Sequence, residues 1–206
     1  MARISLEEAV RRLRRGEVVG IPTETVYGLA ASINHPEAID SIFSLKGRPR
    51  VNPLIVHVAE LDEARQLSQH WSAVAESFGL LWPGPLTLIV EADLEKVPLT
   101  VRAGLPTVGI RVPQHPLCLE LLRLTGPLVA PSANLSGRPS ASLAVHVEED
   151  FGEGFPVLDG GACHKGLEST IVTTGSSPKI ARLGAWSREY LESVTGLSLG
   201  HADTIT

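Results

Sequence analysis

Residues 18–29, VVGIPTETVYGL, place a short apolar strand directly before hydroxyl, carboxylate and glycine residues. Val18–Ile21 has the β-branched composition of a buried strand, and similar runs alternate along the chain with amphipathic stretches. This alternation is typical of an α/β domain. Because a strand end fixes a side chain while the next loop leaves room for a ligand, Thr23, Glu24 and Thr25 form a first candidate site. A capped turn is the alternative interpretation of the same three residues.

Composition limits the classes of protein to consider. The chain has 206 residues, 43% of them hydrophobic and 20% charged, which suffices for one domain with one core. A net charge of -5 and a pI of about 5.8 argue against a protein that mainly binds a nucleic-acid backbone. Cys118 and Cys163 form no CxxC pair, so we expect no metal site and a reducing, cytoplasmic environment. No apolar run reaches the ~18 residues of a membrane helix.

Hydrophobic periodicity predicts a single domain over residues 1–195, followed by a frayed tail over 196–206. The first helix begins after Ser5, whose cap is strengthened by Glu8, and ends at Gly16. Further helices are predicted at Pro36–Leu45, Leu61–His70, Ser72–Leu81, Pro116–Leu124, Leu143–Asp150 and Ser187–Val194. Strands are predicted at Val18–Ile21, Leu54–Val58, Leu86–Val90, Val108–Val112, Leu128–Ala130, Thr170–Thr173 and Ile180–Leu183.

Two further candidate sites carry cations. Lys46, Arg48 and Arg50 alternate in a segment that we expect to be extended, so their side chains should point the same way and need an anion. The alternative is a solvated charged loop. Arg111 interrupts an apolar strand, and a buried guanidinium requires a carboxylate, either from a substrate or from Glu24 or Glu168.

The fourth candidate site combines two hydroxyl-rich strand ends. Residues 130–134, APSAN, and residues 168–170, EST, could converge across the sheet, although each alone is more typical of a turn. His57 lies in an apolar strand and is, on residue type alone, more often a core residue than a ligand contact. The chain lacks the GxxxxGK[ST], GxGxxG, GxSxG and HExxH motifs, which disfavours the common nucleotide-binding, hydrolase and zinc-protease classes.

Eight segments in this order resemble the YrdC-like domain of the threonylcarbamoyl-AMP synthases: PTETVYGL, KGRPxxNPLIVH, WPGPLT, VGIRVP, APSANLSGxPS, DGG, ESTIV and ARLG. The resemblance extends from about Ser5 to Leu183. It implies a twisted, largely mixed sheet flanked by helices around a central substrate cavity. It also implies synthesis of threonylcarbamoyl-AMP and diphosphate from L-threonine, bicarbonate or CO2, and ATP. That product serves N6-threonylcarbamoylation of adenosine 37 in tRNAs that read ANN codons.

The resemblance also implies roles for individual residues. Lys46 and Arg48 would be the catalytic cations that neutralise phosphate charge, helped by Mg2+, and the loop from Lys46 to Asn52 would be a lid. A downstream threonylcarbamoyl transferase complex would use the product. The implied threonine contacts are Thr25, His57, Arg111, Ala130 and Ser169. The implied ATP contacts are Lys46, Arg48, Asn52, Thr107, Ser132, Asn134, Ser140 and Arg182.

Other functions remain open from the sequence. Longer members of the family add a second domain, and an aspartate expected after the ESTIV segment is replaced by Thr173-Thr174. An inactive paralogue of the same fold is therefore one alternative. A double-stranded RNA-binding module is another, in which the arginines of residues 11–15 join Lys46, Arg48 and Arg50 in a basic patch; a weak RNA contact would also fit an enzyme. A hydrolase of small carbamoyl compounds would act without ATP.

Overall fold

The computed structural model describes residues 3–201 of the chain. The described part contains eight helices around a mixed sheet. The mixed α/β class agrees with the prediction, and seven of the eight helices were predicted. The helices are α1 Leu6–Arg14, α2 Pro36–Lys46, α3 Leu61–Gln66, α4 Ala73–Gly79, α5 Leu99–Arg102, α6 Pro116–Thr125, α7 Ala144–Phe151 and α8 Arg188–Thr195. The strands are β1 Arg3–Ile4, β2 Val19–Ile21, β3 Gly28–Ser32, β4 Ile55–His57, β5 Ser68–His70, β6 Leu86–Ala92, β7 Thr107–Arg111, β8 Leu128–Val129, β9 Val157–Leu158, β10 Thr170–Thr173, β11 Lys179–Arg182 and β12 Gly200–His201.

The sheet follows the order β1-β9-β2-β3-β8-β4-β7-β6-β10-β11-β12, and β5 pairs with β6 at the side. Both parallel and antiparallel strand pairs occur along this order, without a regular pattern. β4 and β7 are parallel, whereas β6 runs antiparallel to β7 and parallel to β10. The ends of β4 and β7, the end of β8 and the start of β10 therefore contribute to one region, where the candidate residues lie.

All seven predicted strands and all seven predicted helices are present, with ends that differ by a few residues. The helix predicted over Leu61–His70 is shorter, because its last residues form β5 instead. Ser5 caps α1 through a hydrogen bond from the Glu8 amide, as predicted. β3 was not predicted, because its GLAAS sequence contains no β-branched residue. Four other short elements were not predicted either: Arg3–Ile4, Leu99–Arg102, Val157–Leu158 and Gly200–His201.

The sheet separates two apolar cores. In β3, Leu29 and Ala31 belong to the larger core with most of the helices, whereas Ala30 belongs to the smaller one. The smaller core is formed mainly with α1 and α6. Successive residues of a strand point to opposite faces, so burial on both faces fixes the strand register. This burial holds the strand ends in place around the candidate site.

The C-terminal segment differs in part from the predicted frayed tail. Leu199 is only 2% exposed and packs with the larger core, and Gly200–His201 pairs in parallel with Lys179–Ile180. Residues 199–201 are therefore held by the larger core and by β11. The remainder of the predicted tail, 202–206, lies outside the described residues.

Candidate functional site

The candidate threonine contacts meet around one small cavity of about 90 Å³. His57 and Arg111 end the neighbouring parallel strands β4 and β7, where they are direct partners in the register. Ala130 follows β8, Ser169 precedes β10, and Thr25 lies in the turn after β2. The two hydroxyl-rich strand ends therefore converge, as predicted. The cavity is lined by Thr25, Val26, Arg48, Pro53, Leu54, Ile55, His57, Arg111, Ala130, Pro131, Ser132, Glu168, Ser169 and Arg182.

Arg111 is a buried cation with an internal partner. Its Nη2 lies 2.7 Å from Oε1 of Glu24, and both side chains are about 95% buried. Neither Arg111 Nη2 nor Glu24 Oε1 has an aligned hydrogen-bond partner among residues 3–201. Their contact is therefore an ion pair, defined by the distance alone. Nη1 donates to Thr25 Oγ1 at 2.9 Å, and Nε donates to the Gly84 carbonyl at 3.4 Å. Of the two partners that the sequence suggested, Glu24 is thus the one that Arg111 uses.

His57 is a neutral cavity residue. It is 3% exposed, and burial together with the charge of Arg111 lowers the pKa of its imidazole to about 3. Its Nδ1 has no hydrogen-bond partner among the described residues. Buried polar atoms in native structures are almost always paired, so an unpaired ring nitrogen beside a cavity is suited to a ligand. His57 therefore lines the small cavity and is not part of the apolar cores.

A second cavity of about 900 Å³ adjoins the first and shares Arg48 and Arg182 with it. Its wall follows the central strands and includes Asn52 and Thr107 from the predicted ATP contacts. Arg48 donates from Nε and Nη2 to the carbonyls of Asn52 and Pro53, at 3.3 and 3.0 Å. Across residues 3–201, Arg48 forms no ion pair with a carboxylate, so its charge is available to a bound anion.

The predicted common direction of Lys46, Arg48 and Arg50 is wrong. Lys46 is the last residue of α2, and Gly47 then adopts the left-handed conformation with φ 59°, so the segment is not extended. Lys46 Nζ points inward to the carbonyls of Ser132 and Asn134, at 2.5 and 2.6 Å. Arg50 points away, pairs with Asp40 at 2.5 Å and lies over the Phe43 ring. Only Arg48 of these three cations lines the cavities.

Three predicted ATP contacts lie just behind the cavity wall. Lys46 holds the loop of Ser132 and Asn134, and Asn134 Nδ2 donates to the carbonyls of Leu135 and Arg138. Ser140 Oγ donates to Glu168 Oε1 at 3.1 Å. Burial and the nearby Arg48 lower the pKa of Lys46 to about 8. These residues shape the loop that borders the cavity.

Glu168 belongs to the EST segment of the fourth candidate site and was also a possible partner of Arg111. In the structure it lines the small cavity, where it pairs with Arg182 instead and accepts a hydrogen bond from Ser140. Thr87 was not among the predicted site residues, and it shares a 2.8 Å hydrogen bond with Ser169 Oγ across two strands.

The four arginines at residues 11–15 are mostly engaged at the surface of α1. Arg11 and Arg12 pair with Glu8, and Arg14 donates to the Leu124 carbonyl. Such contacts are typical of a solvated helix face. Within the part of the chain that the structure describes, no helix is long and apolar enough to cross a membrane, and no cluster of His, Cys, Asp or Glu is arranged to hold a metal ion.

Sequence and structure comparisons agree on the family. A family model described as "Telomere recombination" and named for Sua5, YciO and YrdC matches residues 11–184. The chain is 43% identical to the threonylcarbamoyl-AMP synthase of Bacillus subtilis over 195 residues, which cover 93% of this chain and 56% of that protein. It is 35% identical to a putative threonylcarbamoyl-AMP synthase of Mycobacterium tuberculosis, covering 92% of this chain and 88% of that protein.

Among solved structures, Pyrococcus abyssi Sua5 complexed with L-threonine superposes with a TM-score of 0.90 at 40% identity, covering 95% of this chain and 58% of that chain. The fold and the ordered motifs define a YrdC-like α/β domain. The chain belongs to the Sua5/YciO/YrdC family. It spans about half the length of the Bacillus subtilis and Pyrococcus abyssi relatives.

Proposed function

We propose that the protein catalyses formation of threonylcarbamoyl-AMP and diphosphate from L-threonine, bicarbonate or CO2, and ATP. The main observation in support of this proposal is the pair of adjoining cavities that share Arg48 and Arg182. One cavity suits a small zwitterion and the other suits a larger anionic ligand. The similarity to proteins named threonylcarbamoyl-AMP synthase supports the same assignment.

The small cavity supports binding of the amino acid. A guanidinium binds a carboxylate strongly when it can offer two parallel N–H groups, and Arg111 ends its strand at the cavity wall. Thr25, Ser169 and neutral His57 supply uncharged polar groups that suit the hydroxyl and amino groups of threonine. The cavity volume of about 90 Å³ favours a ligand of amino-acid size over a peptide.

The large cavity supports binding of ATP. Arg48 and Arg182 would face the phosphates, while the loop held by Lys46 would border them through Ser132. The described residues offer no cluster of acidic or histidine side chains for a metal ion. Mg2+ would therefore be held by the phosphate oxygens of the nucleotide, where it supplies charge neutralisation.

In this mechanism the protein mainly positions the reactants and stabilises charge. The threonine ammonium group first gives one proton to solvent, and the neutral amine forms an N–C bond to CO2 while one C–O π bond becomes an oxygen lone pair. A second proton then leaves the nitrogen for solvent, which gives a carbamate that keeps one N–H. A carbamate oxygen then attacks the α-phosphorus of ATP, and diphosphate leaves with the electron pair of the broken P–O bond. Arg48 at the junction of the cavities is placed to stabilise the developing phosphate charge.

The biological role would follow from this product. A mixed anhydride with AMP is a donor of the threonylcarbamoyl group, which a downstream transferase complex would deliver to adenosine 37 of tRNAs that read ANN codons. The reaction would take place in the cytoplasm, where ATP and tRNA are present. The ion pairs of the first helix disfavour a dedicated RNA-binding surface there, so any contact with RNA would be local.

The direct test is to incubate the protein with ATP, Mg2+, L-threonine and labelled bicarbonate and to analyse the products by mass spectrometry. We expect a labelled threonylcarbamoyl adenylate and diphosphate, both lost when threonine is omitted. ATP that stays intact under all conditions would favour an inactive paralogue. Turnover of a carbamoyl compound without ATP would identify a hydrolase instead.

A further inference from the structure

Glu168 is the one carboxylate among the described residues that line the small cavity. The same wall contains Arg48, Arg111 and Arg182, so three guanidinium groups face a space of about 90 Å³. Glu24 compensates Arg111 from behind and is not part of the lining. A ligand cation entering this space would therefore be repelled unless Glu168 were available to it.

The backbone of Glu168 is held rigidly. Its carbonyl accepts a 2.9 Å hydrogen bond from the Ala185 amide, and Arg182 Nη2 donates to the next carbonyl, that of Ser169, also at 2.9 Å. Gly184 packs so closely that a Cβ atom there would lie 2.3 Å from the Glu168 carbonyl oxygen. Only a glycine fits at this contact. The Glu168 side chain therefore extends from a backbone that is held at the cavity wall.

Both carboxylate oxygens of Glu168 engage residues of the predicted nucleotide site. Oε1 accepts from Ser140 Oγ, and Oε2 pairs with Arg182 Nη1. These are the donor types that phosphate oxygens bind, so Glu168 and a nucleotide phosphate would compete for the same donors. The side chains of Glu168 and Arg182 are each more than a third exposed, and ion pairs of this kind are weak enough to be exchanged.

We propose that Glu168 is a specificity-determining residue that exchanges Ser140 and Arg182 for the ammonium group of the amino acid when the nucleotide phosphates bind those two donors. This inference rests on the proposed function. After the exchange every charge still has a partner. The nucleotide phosphates pair with Arg182, and the carboxylate of Glu168 pairs with the ammonium group. Arg111 would then bind the carboxylate of the amino acid, and Glu168 would bind its ammonium group. An amino acid would be selected over a hydroxy acid of the same shape.

The exchange predicts that nucleotide and amino acid bind cooperatively. If the nucleotide frees Glu168 for the ammonium group, then it raises the affinity for threonine, and threonine must raise the affinity for the nucleotide by the same factor. Coupling between sites is typically 5- to 150-fold. We expect a factor of at least about five.

The test is calorimetric titration of L-threonine with and without α,β-methylene-ATP, an analogue that cannot release diphosphate. The wild-type protein should show the coupling, and Glu168→Gln should bind both ligands with a factor near one. Glu120→Gln is the matched control, because Glu120 is an exposed carboxylate that lines neither cavity. It should couple like the wild type. Undiminished coupling in Glu168→Gln would overturn the proposal.

A second measurement needs no variant and covers the case in which Glu168→Gln does not fold. 3-Hydroxybutanoate has the carboxylate and methyl groups of threonine but no amino group, so its affinity for the wild type should not respond to the nucleotide analogue. A nucleotide-dependent affinity for this compound would contradict the exchange. Wild-type protein that binds neither L-threonine nor the analogue would refute the proposed function, whereas binding of both without coupling would refute only the role of Glu168.

Discussion

Arg111 and Arg48 line the same small cavity, but the protein treats their charges differently. Arg111 is almost fully buried and has its own carboxylate, Glu24, at 2.7 Å. Arg48 is held by two backbone carbonyls, which orient the guanidinium without neutralising it. The difference separates a cation at the cavity wall that the fold itself compensates from a cation at the same wall that has no carboxylate partner among the described residues. Loss of Arg111 should therefore affect stability and binding together, whereas loss of Arg48 should affect mainly the reaction.

The largest effect is expected from Arg111→Met. This change leaves Glu24 buried without a counter-charge, which should lower the free energy of unfolding by about 3–5 kcal/mol. It should also abolish binding of L-threonine, because the carboxylate loses its guanidinium. Urea unfolding and calorimetry measure the two effects separately.

The double variant Arg111→Met with Glu24→Gln is the control for that experiment. Removing the uncompensated carboxylate should restore much of the lost stability, since replacing both partners of a buried pair is often nearly neutral. Threonine binding should stay lost. A double variant as unstable as Arg111→Met alone would show that the ion pair is not the source of the effect.

The next largest effect is expected from Arg48→Ala. Removing a cation that stabilises developing phosphate charge should slow the reaction by about 10²- to 10³-fold. Stability should fall by no more than about 1 kcal/mol, because Arg48 bonds only to two carbonyls near the surface. Product formation under saturating ATP and threonine is the measurement.

Arg50→Ala provides the matched control two residues away. Arg50 carries the same charge but points to Asp40 and the Phe43 ring, outside both cavities. Its removal should leave the rate unchanged. Equal rate losses in Arg48→Ala and Arg50→Ala would mean that the overall charge of the loop matters rather than the position of one guanidinium.

Lys46 should give a smaller, pH-dependent effect. Burial and Arg48 lower the pKa of Lys46 to about 8, so its ammonium group loses a proton above that pH. The charged hydrogen bonds from Lys46 Nζ to the carbonyls of Ser132 and Asn134 are then weakened. The rate should then fall by about tenfold per pH unit above 8. In Lys46→Arg, which keeps the charge, this decline should move to higher pH.

Stability should change in the opposite direction over the same range. The pKa of Lys46 in the folded protein is about 8, below its ordinary value of 10.5, so between these values the unfolded chain binds more protons. The free energy of unfolding therefore rises with pH in this window. The slope should appear as the difference between the wild type and Lys46→Met, which has no group to titrate. A difference that falls with pH would contradict the lowered pKa.

The contrast between Arg111 and Arg48 also shows what sequence alone can predict. The charge of Arg111 within an apolar strand correctly indicated a buried guanidinium that needs a partner, because that cost does not depend on the fold. The choice between Glu24 and Glu168 depended on the register of β4 and β7 and on the turn after β2, which no local pattern encodes. The predicted lid over Lys46–Asn52 stays a prediction.

The cation cluster shows why a local pattern can mislead. Alternation predicts a common direction only in extended backbone, and the helix α2 continues through Lys46 before Gly47 turns the chain. The low β-propensity of GLAAS likewise hid β3, which is stabilised by burial on both faces rather than by its residue types. The helix end decided the first case, and tertiary packing decided the second.

The smallest effect is expected from the titration of His57. Between pH 5 and 8 the imidazole should stay neutral, because burial and Arg111 lower its pKa to about 3. Protonation would place a second cation beside Arg111 in a small cavity, which is the reason for the low value. Threonine affinity should therefore vary little across this range, and calorimetric titrations at several pH values measure it. Exposed His70, changed to Gln, is the control for other histidines. The contradicting result is a change in affinity centred near pH 6.5 that persists in His70→Gln and disappears in His57→Gln. It would show that the cavity does not keep His57 neutral.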